Sequence, residues 1–361
     1  MEPALRLYAG PVARRHLEQQ GLSPADVRVI QAAAGGPKGL ILGPLDRFLF
    51  GDWLTSASQP IDLVGASIGA WRMATACLQD PVQALDMLEH GYIHQDYQPA
   101  PGQKRPSAAQ VSQAFAQGLH SFYGGRVAEV LAHPRYRLHI MTTRGRGVLR
   151  RDGPWRTPVG YAGAYLTNLV NRSAMGHWLE RVVFSSPAGE HPARLPFDTH
   201  DYPSRHVLMT ESNFMSAIQA SCAIPFLMQA VHDIPGGPAG AYWDGGISDY
   251  HLHLDTRGVD GVVLYPHFQP HVVPGWLDKS LRWRHGSTPF LDRMLLLAPS
   301  PDWIARLPNG KLPDRTDFFR YAQDFSGRVR VWQQATSLAQ QLADEFSEWL
   351  ARPDLSRVEA L

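Results

Sequence analysis

Cysteine is scarce in this chain: 361 residues include two, Cys77 and Cys222. Neither stands in a metal-ligand spacing and both have apolar neighbours. They predict two buried thiols in a reducing compartment, not a disulfide scaffold. Charge is sparse as well. Charged residues make up 19% and the formal net charge is +1. That excludes a disordered or strongly solvated chain and leaves no overall field to attract nucleic acid. No apolar run approaches the roughly 18 residues of a membrane span. From Met1 to Gly21 there is no apolar signal core, because Arg14, Arg15 and Glu18 interrupt it. Internal repeats and low-complexity tracts are lacking too. Together these absences predict a cytoplasmic protein whose only contact with a membrane is peripheral.

What is present is enough apolar content, 44%, for a sizeable core. Strand-like and helix-like segments alternate. Val27 to Ala33 reads as a strand, and Leu40 to Trp53 as a helix with Leu42, Leu45, Phe48 and Leu49 on one face. Pro44 is placed in its first turn, where a missing N–H costs least. Ile61 to Val64 reads as a strand and Ile68 to Leu78 as a helix. Tyr136 to Thr143, Arg181 to Ser185, Gly261 to Tyr265 and Arg293 to Ala298 read as strands, and Asn213 to Ala220 as a helix. Gln95 to Ala108 and the proline-rich Ser186 to Arg205 read as irregular. Strands alternating with helices predict an α/β fold with a mainly parallel central sheet. Asp317 to Leu350 carries apolar residues at three- and four-residue steps, a long amphipathic helix that Gly327 kinks or divides into a pair. The expected organisation is an N-terminal helical segment over 1–26, a catalytic core over 27–255, and C-terminal strands and the long helix over 256–361, packed on that core.

The most specific local signal is Gly65-Ala66-Ser67-Ile68-Gly69, placed between a predicted strand and a predicted helix. A nucleophile elbow requires this layout: a serine on a sharp turn, with glycines two residues to either side. The plain alternative is a tight turn with an N-capping serine. A second glycine-rich turn, Gly35-Gly36-Pro37-Lys38-Gly39, follows the first strand. It lacks P-loop spacing. It does present backbone N–H groups that can stabilise an oxyanion if the two strands are neighbours. Lys38 adds a positive charge there or pairs with a surface acid. A Ser-His-Asp triad would need a late histidine; His251, His253, His267, His271 and His285 are available, none in a distinctive motif. His251, His253 and Asp255 alternate along one strand face, but no complete metal site is visible.

Four motifs in order resemble the patatin-like phospholipase family: Gly35-Gly36-Pro37-Lys38-Gly39, then Gly65-Ala66-Ser67-Ile68-Gly69, then Ala220-Ser221-Cys222-Ala223-Ile224-Pro225, then Asp244-Gly245-Gly246. The resemblance spans roughly Val27 to Asp249. It implies a three-layer α/β/α patatin-like fold and a Ser67–Asp244 dyad without histidine. It also implies an oxyanion hole from the amides of Gly35, Gly36 and Lys38, and chemistry needing no metal or cofactor. Two departures stand out. Ala34 replaces the first glycine of the loop, and Ile247-Ser248-Asp249-Tyr250 follows the Asp-Gly-Gly motif where the family often continues with Asn-Pro.

A fatty-acyl ester substrate calls for an apolar lining. Tyr161 to Trp178 and Phe226 to Met228 are candidates, with ordinary core packing as the plainer role for each residue. Arg144, Arg146, Arg150, Arg151 and Arg156 cluster with Trp155. Arg150 and Arg151 are the candidate headgroup contacts, against a simply solvated loop. Two other functions fit the same residues. One is an α/β-hydrolase esterase with a Ser-Asp-His triad; the other is a non-catalytic lipid-binding relative.

Overall fold

The computed structural model describes residues 2–103 and 105–361. Its strands are β1 Leu5–Ala9, β2 Val27–Ala32, β3 Ile61–Ala66, β4 Tyr136–Gly145, β5 Leu179–Ser185, β6 Pro187–Ala188, β7 His191–Pro192, β8 Ser204–Leu208, β9 Val231–His232, β10 Ala241–Asp244, β11 Val262–Pro266, β12 Met294–Pro299 and β13 Val358–Ala360. Its α-helices are α1 Pro11–Gln20, α2 Gly43–Gly51, α3 Ile68–Ala76, α4 Pro81–Ile93, α5 Ala108–Tyr123, α6 Val127–Leu131, α7 Arg156–Val170, α8 Glu211–Ser221, α9 Gly246–Asp249, α10 Pro301–Arg306, α11 Thr316–Arg320, α12 Phe325–Leu338 and α13 Gln340–Ala351.

Eleven strands form one sheet in the order β13-β1-β12-β11-β2-β3-β4-β10-β9, with β5 also on β4 and β8 beyond β5. The central run from β12 through β11, β2 and β3 to β4 is parallel, while β1, β5 and β10 join antiparallel. Parallel strands are covered on both faces and so read as continuous apolar runs. Every residue of Met294–Pro299 and of Val262–Pro266 is buried. The fold is α/β, a mainly parallel sheet within a three-layer α/β/α arrangement. One apolar core joins Leu5 and Leu7 to Ile30, Leu63, Leu264 and Leu296, and reaches Leu342, Phe346 and Trp349 of α13. The two ends of the chain therefore share the core of the middle. A smaller core under α7 contains Leu149, Tyr161, Met175, Trp243 and Leu277.

Two expectations are corrected. The first 26 residues are not only helical: Leu5, Leu7 and Ala9 alternate inward, and β1 pairs with β12 before α1 begins. The C-terminal helix is broken in two places. Between Arg320 and Phe325 the chain turns, and the Asp324 carboxylate caps α12 by accepting the Gly327 N–H at 2.8 Å. Gly327 thus sits inside a first turn, where a carboxylate meets unpaired amides, and does not kink the helix. The second break falls at Ala339. The stretch read as irregular after Ser185 holds the small hairpin β6–β7 and the start of β8. Pro44 does lie in the first turn of α2, after a 3-10 segment over Gly36–Leu42. Cys77 and Cys222 are free and buried. Among the described residues no helix is long and apolar enough to cross a membrane.

Candidate active site

β4 carries two strands end to end on one edge. β3 runs parallel along its first half and finishes with Ala66 opposite Met141. β10 runs the other way and finishes with Asp244 opposite Thr142. Met141 and Thr142 pair with β5 on the remaining edge, so β3 and β10 must share this one. Their carboxyl ends meet head on. Ser67, the next residue after Ala66, donates a hydrogen bond from Oγ to Asp244 Oδ2 at 2.7 Å across 177 positions of sequence. Ser67 is 4% exposed and Asp244 5%.

The elbow is strained in the way its motif predicts. Ser67 has φ 56° and ψ −127°, a conformation that costs about 1–3 kcal/mol outside glycine and needs surrounding support. Support comes from Ser221 at the end of α8. Its Oγ accepts the Ser67 N–H at 2.9 Å and donates to the Met141 carbonyl at 2.7 Å. Gly69 lets α3 dock on β2, since a Cβ there would lie 1.9 Å from the Ala32 carbonyl oxygen. That close approach sets the glycine loop after β2 beside the elbow. Asp244 is held equally firmly. Its Oδ1 accepts the Gly246 N–H at 2.7 Å, and its own N–H donates to the Ala223 carbonyl at 2.9 Å. The Ala220–Pro225 segment is therefore a brace between Ser67 and Asp244. Its motif was visible in the sequence, but the bracing role of Ser221 was not.

Burial pushes the Asp244 carboxyl above its ordinary range. The Ser67 hydrogen bond, Arg315, the Gly246 amide and Lys279 pull it part of the way back. Burial also raises the Cys222 thiol beside it well above the usual value, which keeps that sulfur neutral. Arg315 and Lys279 come from the C-terminal part of the chain, outside the four motifs, and the sequence offered no signal for either.

Gly35 and Gly36 form the turn that opens the 3-10 segment, with Gly36 at φ 57°. Lys38 does not pair with an acid among the described residues; its Nζ lies 5.1 Å from the centre of the Phe268 ring. Among the described residues no histidine hydrogen-bonds to Ser67 or Asp244. His251 Nδ1 faces the His271 carbonyl and the Val273 amide, His253 meets Thr288, His267 meets Gln269, and His285 meets the Asp278 carbonyl. His251, His253 and Asp255 have separate partners, and Asp255 is paired with Arg257. Of the arginine cluster, Arg144 is bound by Glu180 and Arg146 by the Gly176 carbonyl. Arg150 and Arg151 are exposed, and Arg156 lies over Trp155. The candidate lining surrounds Trp243, the residue before Asp244. Tyr161 of α7 contacts Trp243 and Phe226, each with ring centres 6.1 Å apart. Phe226 is itself exposed and held at φ 69°, an unusual backbone for a bulky residue.

No protein-family model matches the chain, and a search of the curated proteins finds no match either.

Proposed function

We propose that this protein is a serine hydrolase of fatty-acyl esters, a lipid acyl hydrolase of the patatin-like type, working through a Ser67–Asp244 dyad. The observation that carries the reading is the 2.7 Å hydrogen bond from Ser67 Oγ to Asp244 Oδ2 on a strained elbow. Asp244 takes the proton of Ser67 as Oγ attacks the ester carbonyl. We assign the developing oxyanion to the amides of Gly35, Gly36 and Lys38, on the loop that lies beside the elbow. The C–O bond to the alcohol breaks, the alcohol leaves with the proton from Asp244, and an acyl-enzyme remains. Water then gives its proton to Asp244 and attacks the acyl carbon; the C–O bond to Ser67 breaks, Asp244 returns the proton to Ser67 Oγ, and the fatty acid is released. A carboxylate is a weak base, and its raised affinity for protons brings it closer to the range in which general bases are effective.

A lipid substrate is supported by α7. Trp155, Val159, Leu166 and Val170 are exposed, the last at 87%. At 3.6 residues per turn they fall within about 60° of one another. The opposite, buried face of the same helix carries Tyr161, which packs on Phe226 and on Trp243 next to the dyad, and Arg150, Arg151 and Arg156 flank the start of the exposed stripe. Such a face suits peripheral contact with a lipid surface. The free thiols fit a cytoplasmic setting.

The test is labelling by a fluorophosphonate probe, together with a panel running from short p-nitrophenyl esters to phospholipid vesicles. Wild type should label and turn over ester, whereas Ser67→Ala should do neither. Folded wild-type protein that neither labels nor hydrolyses any ester would end the hydrolase reading and favour a lipid-binding role.

A further inference from the structure

Several buried and half-buried arginines in this fold are matched by carboxylates. Arg72 pairs with Asp46, Arg181 with Asp201 and Asp249, and Arg172 and Arg284 with Asp278. Others donate to backbone carbonyls, Arg135 to that of Leu54, Arg293 to that of Arg257 and Arg328 to that of Gln95. Arg315 is half-buried, and among the described residues its guanidinium has neither kind of partner. Lys279 and Lys38 are alike in this: neither ammonium has a carboxylate within 4.0 Å among the described residues.

All three lie against the two loops that build the dyad. A Cβ placed on Gly36 would be 3.4 Å from Arg315 Nε. Lys38 lies over Phe268, whose ring would meet a Cβ on Gly35 at 2.5 Å. Lys279 Nζ lies 4.1 Å from the centre of the Tyr250 ring, and that ring abuts Gly246, whose amide holds Asp244. The nearby carboxylates are already engaged. Asp314 and Asp317 both hold Lys311, and Asp317 also accepts from Trp332 Nε1 at 3.0 Å. Asp244 Oδ2 and Oδ1 serve Ser67 and Gly246. Arg315 and Lys279 therefore share the charge of Asp244, and Lys38 shares that of Asp314 with Lys311. Their mutual repulsion is felt: burial first, then Arg315 and Lys38, lower Lys279 to about 8. The cations are also held in place. Asp317 fixes the turn before Arg315 by accepting the Asp314 N–H at 3.0 Å. Asp278, the residue before Lys279, is anchored by Arg172, Arg284 and Asn168.

We propose that Arg315 and Lys279, with Lys38 beside them, form an anion-binding subsite at the dyad, taking a phosphate or carboxylate group carried by the ester that Ser67 attacks. Part of this inference, the ester, rests on the hydrolase reading; the anion site itself does not. An oxyacid group there completes the charge balance and gives the guanidinium a planar, bidentate partner. It would also hold the scissile bond at a set distance from Ser67. The subsite would discriminate between esters by charge near the reacting carbon, apart from acyl length.

The experiment has two arms. In the first, kcat/KM is measured for a neutral short ester, p-nitrophenyl butyrate, and for its anionic counterpart, mono-p-nitrophenyl glutarate. Their ratio is taken within each variant, so that a general loss of activity cancels. Wild type should favour the anionic ester by at least about tenfold, the scale of one charge-assisted hydrogen bond. Arg315→Gln should bring the ratio near one, and Arg315→Lys should recover part of it. In the second arm, inorganic phosphate is titrated calorimetrically into Ser67→Ala, with and without Arg315→Gln. Binding should appear in the first protein and vanish in the second, with or without hydrolysis. Turnover with the same ratio in wild type and Arg315→Gln overturns the proposal. So does absence of phosphate binding to folded Ser67→Ala. Phosphate binding that needs Arg315, in a protein that hydrolyses neither ester, upholds the site as one for a free oxyanion and removes the hydrolase reading instead.

Discussion

Replacing Ser221 by alanine should damage the site without touching either member of the dyad. Ser221 is fully buried, and its hydroxyl is the only described partner of the Ser67 N–H while also donating to the Met141 carbonyl. Alanine leaves both backbone groups buried and unpaired. Each such loss costs about 1–3 kcal/mol, and a gap the size of one hydroxyl is too small to admit water. The expected destabilisation is therefore roughly 2–6 kcal/mol. Unfolding entropy of about 2.1 cal/mol/K per residue converts this, over 361 residues, to a fall in Tm of about 3–8 °C. The loss should also reach activity. The Ser67 backbone is held at φ 56° against its own preference, and an unanchored N–H lets the turn relax. Fluorophosphonate labelling of the folded variant should slow by at least about tenfold, since a small displacement of a nucleophile is costly. The assay is a thermal melt beside a labelling time course, both below the variant's own transition. A variant with wild-type Tm and wild-type labelling would refute the bracing role.

Five further outcomes follow from the structure. The proposed mechanism requires Asp244 ionised, so kcat/KM should show a single acid limb with its midpoint above the ordinary aspartate value of about 3.9, and no limb near the histidine value; a limb near 6.5 would implicate an imidazole. A carboxyl whose folded pKa is raised favours the fold most below its unfolded pKa, and this contribution is lost as pH rises through the folded one. Asp244→Asn should therefore gain Tm over wild type more at pH 7 than at pH 4, and an equal difference at both would count against the buried charge. Glutamine at His251, His253, His267, His271 or His285, one at a time, should leave labelling of the folded protein within about threefold, whereas a triad histidine would cost roughly ten-thousandfold. Arg181→Met should destabilise by about 3–5 kcal/mol in denaturant melts, because Asp249 and Asp201 lose the cation that sits between them. Leu166→Asp on the exposed face of α7 should lower partition onto phospholipid vesicles by about tenfold, as expected for losing a buried leucine, with unchanged partition removing α7 from the interface.

The elements most legible in the sequence were those with unbroken apolar strands. Val262–Pro266 and Met294–Pro299 lie within a residue or two of where the apolar runs put them, because strands covered on both faces leave no ambiguity. β1 was missed because three alternating positions are too few to outweigh the helical pattern that follows. The C-terminal breaks were not placed by the apolar pattern, because the buried face persists through both: Trp332, Leu342, Phe346 and Trp349 all reach the core. The capping carboxylate of Asp324, which marks one break, gives no periodic signal. At the site, Ser67 stood out by its local glycine-flanked motif, whereas Asp244 was singled out only by the resemblance that joins four motifs in order. Arg315 and Lys279 escaped notice because a cation without a partner has no spacing rule. Only the folded arrangement shows that their neighbours' carboxylates are engaged elsewhere.

The shared edge of β4 acts as a ruler. It sets the gap between serine and aspartate by strand register, whatever happens in the long excursion between them, so that stretch is free to lengthen or shorten as long as β10 returns to the same rung. A slip of one rung would carry the carboxylate about 3.4 Å along the edge and turn it to the opposite face of the sheet. The same slip would exchange Tyr242 and Trp243 between the two cores they fill, so the packing that fixes the rung also fixes how the serine and the aspartate face each other.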